Sequence, residues 1–178
     1  YFYDIMCGFG TIPIEATMIS CNIAPGLYRK YYAFQKWENY DSHLWDEIIS
    51  NAKENIKIDN NIKIFGSDNI QHNIDMSIKS AQSLGVESSI KFLKSNMKKF
   101  KPHSDSGTII INPPYGNRIG PNHEIKQLYK KIGDVFKKNC SGHDTYVFTG
   151  NLDAAKSIGL RSKKRIILKN GRIDCRLV

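Results

Sequence analysis

The chain has 178 residues, with 26 Lys+Arg against 17 Asp+Glu and a formal net charge of +9. With 40% hydrophobic residues, 24% charged, 13 Gly and 6 Pro, it has the make-up of one globular domain with a proper core, which excludes collagen-like, coiled-coil and low-complexity architectures. No apolar run approaches the roughly 20 residues of a membrane-spanning helix, so a transmembrane protein is excluded as well.

In chain order, Tyr1 to Ile5 reads as a first strand, and the chain therefore starts inside an element rather than before one. It lacks an initiator Met, a basic n-region and a cleavage site, so it reads as a fragment of a longer protein and not as a signal peptide. Met6-Cys7-Gly8-Phe9-Gly10 is a glycine turn. Thr11 then caps a helix with Pro13 in its first turn, and Ile14, Met18, Ile19 and Cys21 supply its buried face. The stretch from Ala24-Pro25-Gly26 to about Tyr40 has no clean period and is unusually aromatic. Leu44 to Ile58 fits a helix with Leu44, Ile48, Ile49 and Ala52 near one face. Ile62 to Asp68 is a strand ending on a carboxylate, and Asn69 to Leu84 a helix stopped by Gly85. Ser89 to Leu93 is a short strand, Lys98 to Ser106 a surface loop, and Thr108 to Ile111 a buried strand that nothing polar interrupts. A helix around Glu124 to Lys138, a strand Thr145 to Thr149 and a short helix Leu152 to Ile158 follow. Lys163 to Leu168 and Arg172 to Val178 then flank Asn170-Gly171, a strong hairpin signal. The expected fold is α/β: a mostly parallel sheet that finishes in an antiparallel hairpin.

A +9 charge favours an acidic partner, nucleic acid first, because Lys and Arg displace counterions from a phosphate backbone. Cys7, Cys21, Cys140 and Cys175 show no CxxC spacing, and the five histidines form no metal-ligand pattern with them, so no metal is expected. Four unclustered cysteines fit buried thiols in a reducing cytoplasm.

Two motifs carry chemistry. Asp4-x-x-x-Gly8-x-Gly10 lies between a strand and a helix, where a doubly wound sheet opens its ligand crevice. Glycines there let the backbone come close to a cofactor, and Asp4 can accept hydrogen bonds from a cationic amino group. A tight turn with no ligand is the plain alternative. Asp68, at the end of the second strand, is where such folds hold ribose hydroxyls; it is equally suited to capping the helix that follows. It comes 64 residues after Asp4, far more than the usual gap of about 20, so a long insertion separates the two strands.

The second motif, Asn112-Pro113-Pro114-Tyr115-Gly116, follows the apolar strand directly. Two prolines fix the backbone and donate no N–H, so the Asn112 side-chain oxygen and the Pro113 carbonyl can both accept from one NH2 group. An exocyclic base amine is a poor nucleophile because its lone pair is delocalised into the ring. Two acceptors can aim that nitrogen at an electrophilic methyl without a strong base. Tyr115 offers a face on which a planar, extruded base stacks. The structural alternative is a rigid turn with Asn112 as a cap.

Together Asp4 to Ala16, Asn22-Ile23-Ala24-Pro25-Gly26, Gly66-Ser67-Asp68, Asn112 to Gly116 and Asn170 to Leu177 resemble the THUMP-associated RNA methyltransferases, in particular the bacterial 23S ribosomal RNA guanine-N2 methyltransferases. The likeness spans essentially the whole chain as one catalytic domain, residues 1–178, with an aromatic and basic insertion at about 22–60. It implies a class I methyltransferase, Rossmann-like sheet and S-adenosylmethionine as methyl donor. By the same resemblance Asp4, Gly8 and Gly10 hold the methionine part, Asp68 the ribose and Asn96 the adenine. Asn112 and Pro113 then orient the target amine and Tyr115 lies against the base. The family's N-terminal RNA-binding region is absent from these residues. Three positions depart from the family pattern: Ile5 stands where Pro is usual, Phe9 where a small Ser is usual, and Asn96 where an Asp is usual. Phe9 turned inward would obstruct the methionine pocket; turned outward it is harmless.

The expected activity is methyl transfer to an exocyclic base amine, guanine-N2 of 23S ribosomal RNA first, with no covalent enzyme intermediate. Adenine-N6 or protein glutamine methylation stays open, as does a non-catalytic RNA-binding relative. Arg118, leaving the Asn-Pro-Pro-Tyr loop, is the candidate phosphate contact. In Tyr28 to Trp37 five aromatics interleave with three cations. Packing of Tyr31, Phe34 and Trp37 onto the sheet is favoured there over base stacking. Lys98, Lys99, Lys101 and Lys163, Lys164, Arg165 read as solvated faces.

Overall fold

Tyr3 and Ile5 face one side of the first strand and Phe2 the other, and this alternation assigns the helices to two layers. The computed structural model describes residues 1–58, 63–116 and 122–178. Its strands are β1 (Phe2–Asp4), β2 (Ile64–Asp68), β3 (Ile90–Lys94), β4 (Gly107–Ile111), β5 (His143–Thr149), β6 (Ile166–Asn170) and β7 (Ile173–Leu177). The helices are α1 (Thr11–Ser20), α2 (Ser42–Glu54), α3 (Gln71–Ser83), α4 (Asn122–Asn139) and α5 (Leu152–Lys156). The seven strands form one sheet in the order β3-β2-β1-β4-β5-β7-β6. β1 to β5 pair in parallel, and β7 lies antiparallel between β5 and β6. This is the expected class I methyltransferase sheet.

Tyr3, Ile5, Ile109 and Ile111 pack with Ile125, Tyr129, Ile132 and Phe136 of α4 in one core. Ile64 and Ile90 pack on the other face with Ile14 and Met18 of α1 and Ala81 of α3. Each Ile so buried contributes about 1.5–3 kcal/mol. Burial on both faces explains why these central strands read as continuous apolar runs. All four cysteines are buried free thiols.

Several local expectations are corrected. The position before α1 is held by Gly10 at φ 81, not capped by the Thr11 side chain; the glycine's left-handed backbone turns the loop straight into the helix. Ile19 is 78% exposed and lies off the buried face that Ile14, Met18 and Cys21 form. Leu44 and Ile48 of α2 are also exposed, because α2 packs through Trp45 on Tyr32 and Phe34 and buries no residue fully. Phe34 therefore packs against Trp37, Tyr40 and Trp45 within the insertion, not on the sheet, and Tyr31 and Trp37 stay exposed. The segment is tied at its base by Lys57 N–H donating to the Cys21 carbonyl at 2.8 Å and by the Asn22 amide donating to the Asn55 carbonyl at 3.0 Å. The hairpin turn falls one residue later than expected. Asn170 pairs with Ile173 in the ladder, and Gly171 at φ 58 begins the two-residue turn. The loop expected at Lys98 to Ser106 begins with a short 3-10 helix, Met97–Lys99. It is pinned to the sheet by the Tyr3 hydroxyl, which accepts from His103 N–H at 2.9 Å.

Candidate active site

Register brings the candidate residues to one edge. Asp4 pairs with Gly66 and Tyr3 with Ile109, so the loops leaving β1, β2 and β4 emerge side by side at the C-terminal ends of their strands. That edge is where an open parallel sheet binds ligands. Asp68 pairs with Lys94, which puts Asn96 two residues beyond the same edge.

Asp4 is 1% exposed, and its Oδ1 accepts from the Met6 N–H at 3.1 Å. Burial lifts its pKa from 3.8 to about 7, against the Met6 bond and with a smaller push from the Asp68 charge. Beside this carboxyl the Cys7 thiol is pushed up to about 12, mainly by burial and then by Asp4 and Asp68, so it stays protonated at neutral pH.

The two glycines of this loop do different things. Gly10 is fixed by packing: a Cβ there would lie 2.9 Å from Ser77 Cβ and 3.1 Å from the Phe92 ring. Gly8, at φ 54, has nothing within 4 Å of an added Cβ. Its open side faces unfilled space, while its N–H donates to Asp68 Oδ2 at 3.1 Å and its carbonyl accepts from Ser77 Oγ at 2.9 Å. Phe9 turns outward. It is 56% exposed and meets His72 edge-on at 6.2 Å, the harmless orientation of the two expected.

Asp68 is occupied on both oxygens: besides Gly8, Oδ1 accepts from Ile70 N–H at 2.9 Å and Asn73 Nδ2 at 3.0 Å. It thus orients the glycine loop and the start of α3 together; Oδ1 is filled by its two donors, and Oδ2 keeps one lone pair for a further donor. Asn96 is exposed, and its Oδ1 caps the 3-10 helix by accepting from Lys98 N–H at 3.0 Å. Neighbouring Ser95 donates its N–H to the Asp68 carbonyl at 2.9 Å, which links the two strand ends.

At the end of β4, Pro113 is fully buried and Asn112 is exposed. The Tyr115 hydroxyl donates to Asn112 Oδ1 at 2.7 Å. Burial raises the Tyr115 pKa to about 12, so it remains a donor. The Tyr115 ring stands edge-on to Phe148 at 6.4 Å, and a Cβ on Gly150 would come within 3.1 Å of it. The Tyr115 carbonyl accepts from Asn151 Nδ2 at 2.9 Å. Arg118 lies outside the described residues. Lys98, Lys99, Lys101, Lys163, Lys164 and Arg165 are exposed, as expected of solvated faces. In the insertion, Arg29 sits over the Tyr32 ring and Lys36 over Tyr31.

Asn73, Ser77, Thr149 and Asn151 are the residues that the motifs alone did not reveal. Asn73 and Ser77 are four apart on α3 and so share a face towards the glycine loop. Asn151 had a local signal: an Asn three residues before Ala154, whose N–H its Oδ1 accepts at 2.9 Å to cap α5. Among the described residues no three His, Cys, Asp or Glu side chains converge as a metal group, and no helix is long and apolar enough to cross a membrane.

A class I sheet with a glycine loop after β1, a carboxylate after β2 and Asn-Pro-Pro-Tyr after β4 has the architecture of a methyltransferase catalytic domain. The RMKL-like methyltransferase domain model matches residues 1–178, and the chain belongs to that family. It is 36% identical over 176 residues to the Synechocystis protein slr0064, covering 99% of this chain and 46% of that protein. It is 34% identical over 175 residues to the ribosomal RNA large subunit methyltransferase K/L of Shewanella baltica, covering 97% of this chain and 25% of that one. The chain thus spans between a quarter and half of these relatives. Among solved structures, SMU.472 complexed with SAH superposes with a TM-score of 0.89 at 31% identity, over 99% of this chain and 46% of that one. A Listeria monocytogenes structure described as "a predicted N6-adenine-specific DNA methylase" gives 0.84 at 30% identity, over 99% and 45%. S-adenosylmethionine, whose demethylated product is SAH, is the methyl donor of this family.

Proposed function

We propose that this chain is the catalytic part of an S-adenosylmethionine-dependent RNA methyltransferase that modifies an exocyclic base amine, guanine-N2 of large-subunit ribosomal RNA. The observation that carries the reading is the Asn112-Pro113-Pro114-Tyr115 bend leaving β4 beside the glycine loop that leaves β1. The name of the Shewanella relative supports ribosomal RNA as substrate, the +9 charge supports a polyanionic partner, and four buried free thiols suit the cytoplasm.

The residues fit the cofactor. The open space over Gly8 lets a ligand lie on bare backbone, Asp4 offers a buried carboxyl to an α-amino cation, and Asp68 Oδ2 and Asn96 Oδ1 each keep one lone pair, for a ribose hydroxyl and an adenine amine. When bound, S-adenosylmethionine supplies an activated methyl on a sulfonium. The protein's part is orientation. Tyr115 takes one lone pair of Asn112 Oδ1 and so fixes the carboxamide; the second lone pair and the Pro113 carbonyl accept the two amine hydrogens. That arrangement draws the nitrogen lone pair out of conjugation and towards the methyl. With Cys7 held protonated, the thiol beside the loop is no nucleophile, in keeping with direct transfer.

Asn112→Ala removes the side-chain acceptor and should lower turnover on RNA by about 100-fold or more with S-adenosylhomocysteine affinity within twofold of wild type; unchanged turnover refutes the role. The Listeria neighbour favours adenine-N6 as the second reading. Mass spectrometry of RNA nucleosides from cells lacking the gene separates the two, by loss of N2-methylguanine or of N6-methyladenine.

A further inference from the structure

The bend that presents Asn112 is braced from the next strand. At the end of β5, Thr149 is fully buried, and its hydroxyl lies 2.6 Å from the hydroxyl of the equally buried Tyr129 of α4. Thr149 Oγ1 also accepts the Asn151 N–H at 2.9 Å. The Asn151 side chain then uses both ends. Oδ1 accepts from Ala154 N–H at 2.9 Å, which locks the carboxamide to the start of α5, and Nδ2 donates to the Tyr115 carbonyl at 2.9 Å. The amide assignment is fixed, because reversing it would set an NH2 group against the Ala154 N–H. Beside it, Gly150 leaves no room for a Cβ, which would meet Ile173 at 2.7 Å and the Tyr115 ring at 3.1 Å.

Pro113 and Pro114 cannot donate N–H bonds, so the bend cannot be held by its own amides there. Tyr115 is the residue that fixes the Asn112 carboxamide, and its backbone is tied to the core through Asn151. We infer that Asn151 is a positioning residue for methyl transfer: its Nδ2 sets the Tyr115 backbone and, through the Tyr115 hydroxyl, the direction of the Asn112 oxygen that accepts the target amine. Asn151 itself touches neither substrate nor cofactor. The inference rests on the proposed role of Asn112.

The test separates the strut from the helix cap. Asn151→Asp and Asn151→Ser both keep an oxygen that can cap α5, since Asp and Ser are good caps; the Asp carboxylate has no donor, and Ser has a single, shorter hydroxyl in place of the two arms with which Asn151 caps α5 and reaches the Tyr115 carbonyl. Both variants should melt within a few degrees of wild type and bind S-adenosylhomocysteine within twofold. Their single-turnover rate on RNA should fall about 10- to 100-fold, the cost of displacing a reacting geometry by a fraction of an ångström to one ångström. A rate within twofold of wild type in Asn151→Ser overturns the inference. So does a fall confined to Asn151→Asp, which would reflect its added charge. Asn112→Ala run alongside keeps the two readings apart: if it is inactive while Asn151→Ser is fully active, only the strut fails; if Asn112→Ala is fully active, the role of the bend itself fails.

Discussion

In its proposed role, Asp4 should make cofactor binding and folding depend on pH in opposite directions. A carboxyl whose folded pKa lies above its unfolded one favours the fold only while it is protonated there, because between the two values the native state binds the extra proton. The Asp4 contribution to stability should therefore be fully present below about pH 4, decline as pH rises and be lost above about pH 7. The span from 3.8 to about 7 sets an upper bound of roughly 4 kcal/mol on this swing. The proposed ligand reverses the preference: an α-amino cation binds the carboxylate, so below pH 7 binding must first strip a proton from Asp4. For a site with a pKa near 7, S-adenosylhomocysteine affinity should be about tenfold weaker at pH 6 than at pH 8. Titration calorimetry across that range, with melting curves of the free protein in the same buffers, measures both slopes. Asp4→Asn can still accept from Met6 N–H but cannot ionise, so it should bind more weakly at pH 8 and lose most of both slopes. A flat wild-type affinity between pH 6 and 8, or an undiminished slope in Asp4→Asn, refutes the assignment of Asp4 to the amino group.

The two loop glycines should fail differently. Gly8→Ala adds a methyl where no atom lies within 4 Å, so denaturant unfolding should show only the left-handed strain of about 1–2 kcal/mol, while cofactor affinity falls at least tenfold. Gly10→Ala adds the clash with Ser77 and Phe92 to a φ of 81 and should lose about 2–4 kcal/mol, read by the same unfolding curves. Tyr129→Phe leaves the buried Thr149 hydroxyl without its 2.6 Å partner and should lose about 1–2 kcal/mol in the same measurement.

The architecture was legible because the central strands are buried on both faces and the helices on one. Thr108 to Ile111 can only be an interior strand, and the glycine turn after Asp4 can only lie at a strand end. What local pattern could not show was where amphipathic residues find partners. Leu44 and Ile48 have helical spacing, yet α2 lies against the aromatic patch of Tyr32 and Phe34 and leaves them in water. Ile19 likewise sits within a helical apolar pattern but beyond the reach of the sheet. At the hairpin, Asn170 and Gly171 both tolerate positive φ, so the pair reads as the turn itself; pairing of Asn170 with Ile173 moves the turn one residue later.

The site divides along the same line. Asp4, Gly8, Asp68 and Asn112 announce themselves because each sits at the end of an apolar strand and parallel pairing carries strand ends to one edge. Their supports are silent in sequence. Ser77 of α3 reaches the loop after β1 across 69 positions, and Asn151 in the turn after β5 reaches Tyr115 in the loop after β4 across 36. A proline-stiffened bend makes such a support necessary. Having given up the amides of Pro113 and Pro114, it is held through the Tyr115 carbonyl, and the donor, Asn151, comes from the turn leaving the adjacent strand β5. The proposed chemistry of the Asn-Pro-Pro-Tyr bend would thus depend on the register of β4 with β5 as much as on the four residues themselves.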